Sequence, residues 1–504
     1  MKQIQIDRRR WLQMATSGAL ALGSAGGTDK SIPVHPNQLK FGQLDFNPPE
    51  PSEYRHELPH GAVAYLVEDH QLPLVRLGVT VRTGGYLNSD EDLGLASMTG
   101  TLIRSGGTKS MSASKFDEEA AFLATEIHSH IGATSAYAGI DCLKQNLEPS
   151  LVMFFDMLRN PAFNSERLAL AQRHQLQNMQ RRNDRTSVIE NREFQRLLRG
   201  DSHFSSKLAT EKSITSITAH KMSRFHAQYY HPSSLVFAVS GDFDTKEILV
   251  RLKNSLREGW SANRPDVSTV PKPKHQPTPC LAMVNKTGVN QSRVSIGHLG
   301  IQRNNPDHIA VMVMNSILGG GGFTSRITGR VRSDEGLAYS ARSSFRAGVY
   351  YPGVFRASFQ SKNGSCAQAT AIVLEEIERI CNEKVSQKEL DTAKNYLVEI
   401  FPRFFATASI VAGTFADDEY TRREKDYWKQ YRNRVAALTA DDLLKAAQQH
   451  LHPSEIVILA VGNVNEILRG NPDRPQYKFE NFAKNTDIRH IPLPDPLTME
   501  YPKG

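Results

Sequence analysis

Two segments of the chain, 221 positions apart, show the same order of residue types. The first runs from Ile217 as ITAHKMSRFHAQYYHPSSLVFAVSGDF, and the second runs from Leu438 as LTADDLLKAAQQHLHPSEIVILAVGNV. They align without a gap, and each reads as a helix, a His-Pro-Ser turn and a strand that ends at glycine. Self-similarity over this length indicates that the chain contains two copies of one structural unit.

Each copy mixes strand-like and helical runs without strict alternation. This mixture predicts an α+β fold in which a mostly antiparallel sheet is covered by helices. Sequence pattern and composition divide the chain into a first half, a Pro-rich linker, a second half and a Pro-rich tail that we expect to wrap a surface: 40–262, 263–279, 280–468 and 469–504. Within the first half, apolar alternation predicts strands at 62–67, 74–81 and 126–137.

The N-terminus has the three parts of a twin-arginine export signal. Arg8, Arg9 and Arg10 precede an apolar run from Met14 to Ala25 that ends in small residues. About a dozen apolar residues are too few to span a bilayer, which needs about 20. We therefore expect residues 1–27 to be a signal peptide and the protein to be exported to the periplasm, with a disordered basic tail as the alternative.

Composition excludes several classes of protein. The 504 residues are 39% hydrophobic and 23% charged, which is typical of a globular protein without a membrane span. The net charge is +8, but Lys and Arg are dispersed, so we expect no nucleic-acid partner. The four cysteines form no C-x-x-C pair and predict no disulfide framework.

A short helix of small and apolar residues is predicted between Gly94 and Gly106. On it, Ser97, Gly100 and Thr101 stand at i, i+3 and i+4. This is the spacing of the inverted zinc motif H-x-x-E-H, in which two His bind the metal and the Glu activates a water.

The sequence around this helix, TGGYLNSDEDLGLA before it and GGT after it, resembles the pitrilysin/insulinase family of zinc peptidases, and most closely its bacterial members of the mitochondrial-processing-peptidase type. The resemblance places the first ligand at Ser97, the catalytic Glu at Gly100 and the second ligand at Thr101. The family's third ligand, a Glu on a later helix, falls at Gln177 and Asn178. The hydroxyls of Ser97 and Thr101 and the amide of Asn178 are poor zinc ligands, and Gly100 has no side chain to act as a base. We therefore expect this chain to bind no metal there. The family fold implied is two homologous halves that face each other across a cavity.

Two other histidine patterns could indicate a metal site. His56 to His60 reads H-E-x-x-H, but Pro59 breaks the helix that this motif requires, so the match is interpreted as a coincidence. His128 and His130 alternate on a predicted strand with Glu126 in line, which fits either a metal pair or a polar strand face. We favour the polar face.

The second half carries two elements of interest. Gly319, Gly320, Gly321 and Gly322 form a loop with no preceding strand and no Lys, so a phosphate-binding loop is not indicated. We interpret it as a hinge between helices, and in the family the similar loop lies against bound peptide.

The sequence RVRSDEGLAYSARSSF resembles the family's Arg/Tyr element, with Arg332 and Tyr339 at the matching positions. That element contacts substrate and stabilises the tetrahedral intermediate. The structural alternatives are a helix-end Arg and a Tyr in the core of a strand.

Three functions remain open. The favoured hypothesis is a non-catalytic subunit that binds no cofactor and pairs with a zinc-bearing homologue or with itself. It would hold an extended peptide along a sheet edge and present Arg332 and Tyr339 to the partner's site. The alternatives are a peptidase active on its own through a relocated metal site, and a periplasmic peptide-binding module without catalysis.

Overall fold

The computed structural model describes residues 46–257, 259–260, 267–483 and 487–502. The predicted signal at 1–27 and part of the predicted linker lie outside these residues. From Asn47 onward the chain forms one unit built on two six-stranded sheets.

The first sheet is assembled from the first half of the chain. Its strand order is β1-β2-β6-β3-β5-β4, and four of its five pairings are antiparallel. The strands are β1 Arg55–Glu57, β2 Val63–Glu68, β3 Leu74–Val81, β4 Glu126–Ile131, β5 Ala136–Leu143 and β6 Leu235–Gly241. Helices of eight or more residues in this half are α1 Leu95–Ser105, α2 Ala113–Phe122, α3 Leu147–Arg159, α4 Ser165–Gln180, α5 Thr186–Arg199, α6 Ala219–Tyr229 and α7 Thr245–Arg257.

The second sheet repeats this arrangement. Its order is β12-β7-β11-β8-β10-β9, so every strand after β12 has an equivalent in the first sheet, in the same order. The strands are β7 Cys280–Asn285, β8 Gln291–Leu299, β9 Ala338–Arg346, β10 Val354–Lys362, β11 Val457–Gly462 and β12 Arg489–His490. The helices of eight or more residues in this half are α8 His308–Asn315, α9 Cys366–Asn382, α10 Gln387–Glu399, α11 Ala408–Thr421, α12 Tyr427–Ala437 and α13 Ala440–His450. The predicted α+β fold with two homologous halves is confirmed.

Each half gives one helix to the other half's sheet. Helix α5 packs on β8 and β11, and helix α11 packs on β2, β3 and β6. The apolar side of α5 enters the second core with Ile189, Phe194 and Leu198, all fully buried. Phe415 of α11 packs 5.9 Å from the ring of Tyr65 in the first half. Both helices have 14 residues and occupy equivalent positions of the repeat, so the exchange is reciprocal.

A buried carboxylate reinforces this exchange. Glu190 of α5 is 1% exposed and accepts hydrogen bonds from Arg293 at 2.6 Å and from Ser295 at 2.5 Å. Arg356 lies 2.9 Å from the same carboxylate. Three strand residues of the second half thus surround one carboxylate of the first half, which is the pairing that a buried charge requires.

The C-terminal segment connects the two halves. It forms β12 beside β7, and then crosses to the first half, where Asn183 donates to the carbonyl of Pro494 at 2.8 Å. Tyr501 donates to Glu193 of α5 at 2.8 Å. The C-terminal segment therefore contacts both halves of the chain.

One predicted strand was wrong. Residues 126–137 are not a single strand, because β4 ends at Ile131 and β5 begins at Ala136. The Gly132 N–H donates to the carbonyl of Ser135 at 2.8 Å and closes a tight hairpin turn. The residues Gly132 and Ser135 favour a turn, but the apolar alternation on both sides of them suggested one continuous strand.

Within the described ranges, no single helix is long and apolar enough to cross a membrane. The segments Gln387–Phe405 and Ala408–Thr421 meet that test only when taken together, and they are bent by 100° at their junction.

Candidate functional site

The helix with the zinc-motif spacing is α1, and its sequence explains its position. Gly94 begins it with a positive φ of 99°, and the Gly106 N–H closes it on the carbonyl of Leu102. Leu102 and Ile103 are fully buried, so one side of the helix lies in the first core. The opposite side carries the motif positions Ser97 and Thr101.

Ser97, Thr101 and Asn178 come together in the structure. Ser97 and Thr101 are exposed on α1, and Asn178 lies on the neighbouring α4. All three line one pocket of about 330 Å³, together with His174. The Thr101 hydroxyl donates to the carbonyl of Ser97 at 3.2 Å, so it is already used within its own helix.

This pocket does not fit zinc. One imidazole beside two hydroxyls and an amide is not a ligand set that holds Zn²⁺, which takes thiolate, imidazole and carboxylate donors. Across the described ranges, no group of three or more His, Cys, Asp or Glu side chains is placed to hold a metal ion.

Gly100 does not line this pocket, because it faces strand β4. A Cβ atom built at Gly100 would lie 2.3 Å from the backbone N of Ile131 and 2.8 Å from the carbonyl carbon of His130. Real Cβ atoms do not approach so closely, and the atoms in the way are backbone. The position of the family's catalytic Glu therefore has no room for any side chain in this packing.

The other histidine patterns are resolved by the fold. His56 and Glu57 lie in strand β1, and His60 follows in a short turn with a φ of 60°, so the H-E-x-x-H match is not on a helix. The rings of His128 and His130 lie 5.3 and 5.7 Å from the ring of Tyr137. Partial burial lowers the pKa of His128.

A larger cavity of about 1320 Å³ lies between the two halves. It is lined by the β4–β5 hairpin, helix α5, the C-terminal end of α11, strands β8, β9 and β10, and the glycine loop. The exchanged helices α5 and α11 thus form part of its wall. Sequence analysis predicted a cavity but not these walls.

Arg332 lines this cavity and lies beside Tyr339. The Arg332 guanidinium lies 4.7 Å from the centre of the Tyr339 ring and 4.5 Å from that of Phe323. Tyr339 is 84% exposed and Phe323 is 69% exposed. The alternative interpretation of Tyr339 as a core residue is therefore wrong. Two aromatic rings hold the Arg332 side chain in place by cation–π contact while its donors remain accessible.

The glycine loop is shaped mostly by its own surroundings. A Cβ at Gly319 would lie 2.5 Å from the backbone N of Ser343, and one at Gly320 would lie 2.7 Å from the side-chain amide of Asn315. A Cβ at Gly321 would lie 2.7 Å from the carbonyl of Ser316. Gly322, with a φ of 66°, faces open space. Three of the four glycines therefore allow close packing within the protein, whereas Gly322 has open space on the side where a Cβ would lie.

The cavity wall carries an excess of positive charge that the sequence analysis missed. Among the described residues, two carboxylates line it, Glu190 and Asp417, and no lysine does. Six arginines line it, from α5, β8, β9, β10 and the segment before β9: Arg199, Arg293, Arg332, Arg342, Arg346 and Arg356. Alternating arginines in β9 were the available signal, but strand alternation alone does not reveal which face lines a cavity.

Comparisons with known proteins agree with this architecture. Residues 216–397 match the family model described as peptidase M16 inactive domain. A non-peptidase homolog, YmxG of Helicobacter pylori, is 23% identical over 79% of this chain and 90% of its own length.

Two solved structures share the fold. The peptidase M16 inactive domain from Pseudomonas fluorescens superposes with a TM-score of 0.73 at 23% identity, over 81% of this chain and 97% of that one. The periplasmic protease PqqL from Escherichia coli gives a TM-score of 0.67 at 13% identity. That match covers 90% of this chain and 50% of PqqL.

Proposed function

We propose that this chain, a member of the peptidase M16 family, is a non-catalytic subunit of an M16-type peptidase. The family is also called the pitrilysin/insulinase family, and this member carries a degenerate zinc motif. It pairs with a zinc-bearing homologous subunit, with a homodimer as the other form of the proposal. It helps to hold an extended peptide and brings Arg332 and Tyr339 to the partner's zinc.

The observation that carries the proposal is the contrast between the two family elements. At the zinc motif, Ser97, Thr101 and Asn178 offer no metal ligands, and Gly100 leaves no space for a catalytic Glu. At the Arg/Tyr element, in contrast, Arg332 lies beside an exposed Tyr339, and both side chains suit catalysis.

The chemistry of this pair suits a supporting role. A tetrahedral intermediate formed at a partner's zinc carries a developing oxyanion, which a phenolic O–H from Tyr339 can stabilise. Arg332 provides a permanent charge and a fork of N–H donors that fit a carbonyl or carboxylate of the peptide. Phe323 fixes the other face of the guanidinium, so little side-chain freedom is lost when a peptide binds.

Isolation from the native host tests the pairing. We expect a homologue with an intact H-x-x-E-H motif to copurify in stoichiometric amount, and zinc to follow the partner when the two are separated. The chain alone, after dialysis, is expected to hold far less than one zinc and to cleave no peptide. Stoichiometric zinc together with cleavage by this chain alone would support a relocated metal site instead.

Substitution of Arg332 tests the supporting role. Arg332→Ala is expected to lower kcat/KM of the reconstituted pair by at least about tenfold, the loss expected when a charge-assisted hydrogen bond to a carbonyl or carboxylate of the peptide is removed. Complex formation, followed by gel filtration, should not change. The matched control is Arg474→Ala, at an exposed arginine that does not line the cavity. Equal rates for the two variants would remove Arg332 from the mechanism.

A peptide-binding module without catalysis is the second candidate, and the cavity of about 1320 Å³ favours it. It would be supported if the chain binds peptides and no homologue copurifies.

For localisation, we propose export to the periplasm through a twin-arginine signal in residues 1–27. The likeness to a protein named as a periplasmic protease supports this assignment. Fractionation of cells in which Arg9 and Arg10 are replaced by Lys tests it, since retention in the cytoplasm is expected.

A further inference from the structure

The arginines of the cavity differ in whether they already have a partner. Arg293 and Arg356 share the buried carboxylate of Glu190, so one of their two positive charges is balanced. Arg199 donates to the hydroxyl of Ser205 at 3.2 Å, which does not neutralise its charge. Its Nε is buried without a hydrogen-bond partner among the described residues.

Three further arginines at the cavity have no carboxylate partner. Arg332, Arg342 and Arg346 form no ion pair within the part of the chain that the structure describes. Only Asp417 remains on the wall to balance them, because Glu190 is already shared. The cavity therefore holds an excess of uncompensated positive charge in addition to an unsatisfied guanidinium N–H.

Other residues that line the cavity can also donate hydrogen bonds to an anion. Ser340 and Ser344 alternate with Arg342 and Arg346 along β9, so the four side chains share one face of the strand. Gln195 of α5 also lines the cavity. Serine hydroxyls and arginine N–H groups donate to carboxylates, and charge-assisted bonds of this kind are about twice as strong as neutral ones.

From this charge distribution we propose that the cavity selects acidic peptides, meaning extended segments with Asp or Glu side chains at several positions. This inference rests on the proposed function, because it names the substrate class of the same cavity. Along an extended peptide, side chains on one face recur about every 7 Å, so carboxylates four residues apart would face Arg342 and Arg346, which are four residues apart on β9. Arg332 would meet the peptide where Phe323 and Gly322 leave ring and backbone exposed.

Equilibrium binding to the purified chain tests the proposal. The probe is a fluorescein-labelled 12-residue peptide of alternating Glu and Ser, compared by anisotropy with the same peptide carrying Gln for Glu. The Glu peptide is expected to bind at least about tenfold more tightly, since one charge-assisted hydrogen bond contributes that much. Raising the ionic strength from about 50 to about 300 mM should weaken only the Glu peptide, because salt screens exposed charges.

Variants identify the residues. Arg342→Gln and Arg346→Gln are each expected to weaken the Glu peptide by about five- to tenfold and to leave the Gln peptide unchanged. Both side chains are exposed, so the variants should keep the melting temperature of the parent protein. Arg474→Gln is the matched control and should bind as the parent does.

Three results would overturn the proposal: equal affinity for the two peptides, unchanged binding in both variants, or tighter binding of a labelled single-stranded oligonucleotide than of the Glu peptide. Because the assay needs no partner, its failure is separate from that of the proposed function. If the chain binds acidic peptides but no zinc-bearing homologue copurifies with it from its host, only the proposed function is contradicted. A peptidase pair with no acidic preference would contradict only this inference.

Discussion

The packing of Gly100 makes a prediction that is opposite to the usual rule for helices. Gly100 lies in the interior of α1, where Gly→Ala ordinarily stabilises a protein by about 1 kcal/mol. Here the new Cβ would lie 2.3 Å from the backbone N of Ile131, well inside ordinary van der Waals contact. Strand β4 is hydrogen-bonded to β5 through its whole length, so it does not move away easily.

The expected magnitude follows from these two opposing effects. Overpacking of a well-packed core costs about 1–3 kcal/mol, and the upper end applies because the obstructing atoms are backbone. After subtraction of the helix-propensity gain, Gly100→Ala should destabilise the protein by about 2 kcal/mol. Gly413 provides the matched control, since it lies inside helix α11 with nothing within 4 Å of its built Cβ. Gly413→Ala should therefore stabilise by about 1 kcal/mol.

Thermal unfolding followed by circular dichroism measures both variants against the parent. We expect a lower melting temperature for Gly100→Ala and a higher one for Gly413→Ala. The same reasoning predicts that restoring the family's motif, by combining Ser97→His, Gly100→Glu, Thr101→His and Asn178→Glu, yields a destabilised protein without stoichiometric zinc. If Gly100→Ala raised the melting temperature, or if the restored motif bound zinc in a stable protein, the argument that the site has closed would be refuted.

Two further predictions concern stability. Glu190→Ala should destabilise the protein by about 3 kcal/mol, because Arg293 and Arg356 then share a half-buried site without a carboxylate; an unchanged urea midpoint would contradict this. Burial lowers the pKa of His298 to about 4, and its Nε2 accepts the N–H of His452, so the folded protein keeps the ring neutral. The unfolded chain binds that proton below a pKa of about 6.5, so stability is lost as the pH falls from about 6.5 to about 4. The melting temperature of His298→Gln should therefore depend less on pH over this range, and parallel curves would show that His298 does not contribute.

Much of the fold could be predicted from sequence because its signals are local or repeated. Strand β3 was predicted at its observed bounds, since apolar alternation from Leu74 to Val81 is uninterrupted. The repeat predicted two equivalent sheets. It could not predict that α5 and α11 exchange places, because an alignment of two units says nothing about which surfaces of the units touch.

The site was predicted less completely, for a related physical reason. The sequence showed that Ser97, Gly100 and Thr101 lack the family's functional groups. It did not show that the space left by the Glu side chain is filled by backbone of β4, because that depends on how two elements distant in sequence pack. The six arginines that line the cavity were not predicted for the same reason. Glu190 and Arg293, for example, come into contact only when both halves have folded.

The two halves differ at the positions of the family's motifs, and the difference bears on whether a partner exists. In the first half, the absence of a side chain at position 100 allows α1 to settle on β4, which adds buried contacts to the folded chain. In the second half, Phe323 and Tyr339 keep most of their ring surface in water. Burying one such ring contributes about 2 kcal/mol, and folding of this chain does not gain that contribution. Surface of this kind is stabilised only when something else covers it, and its position beside an arginine-lined cavity favours a bound peptide or a partner's active centre over solvent.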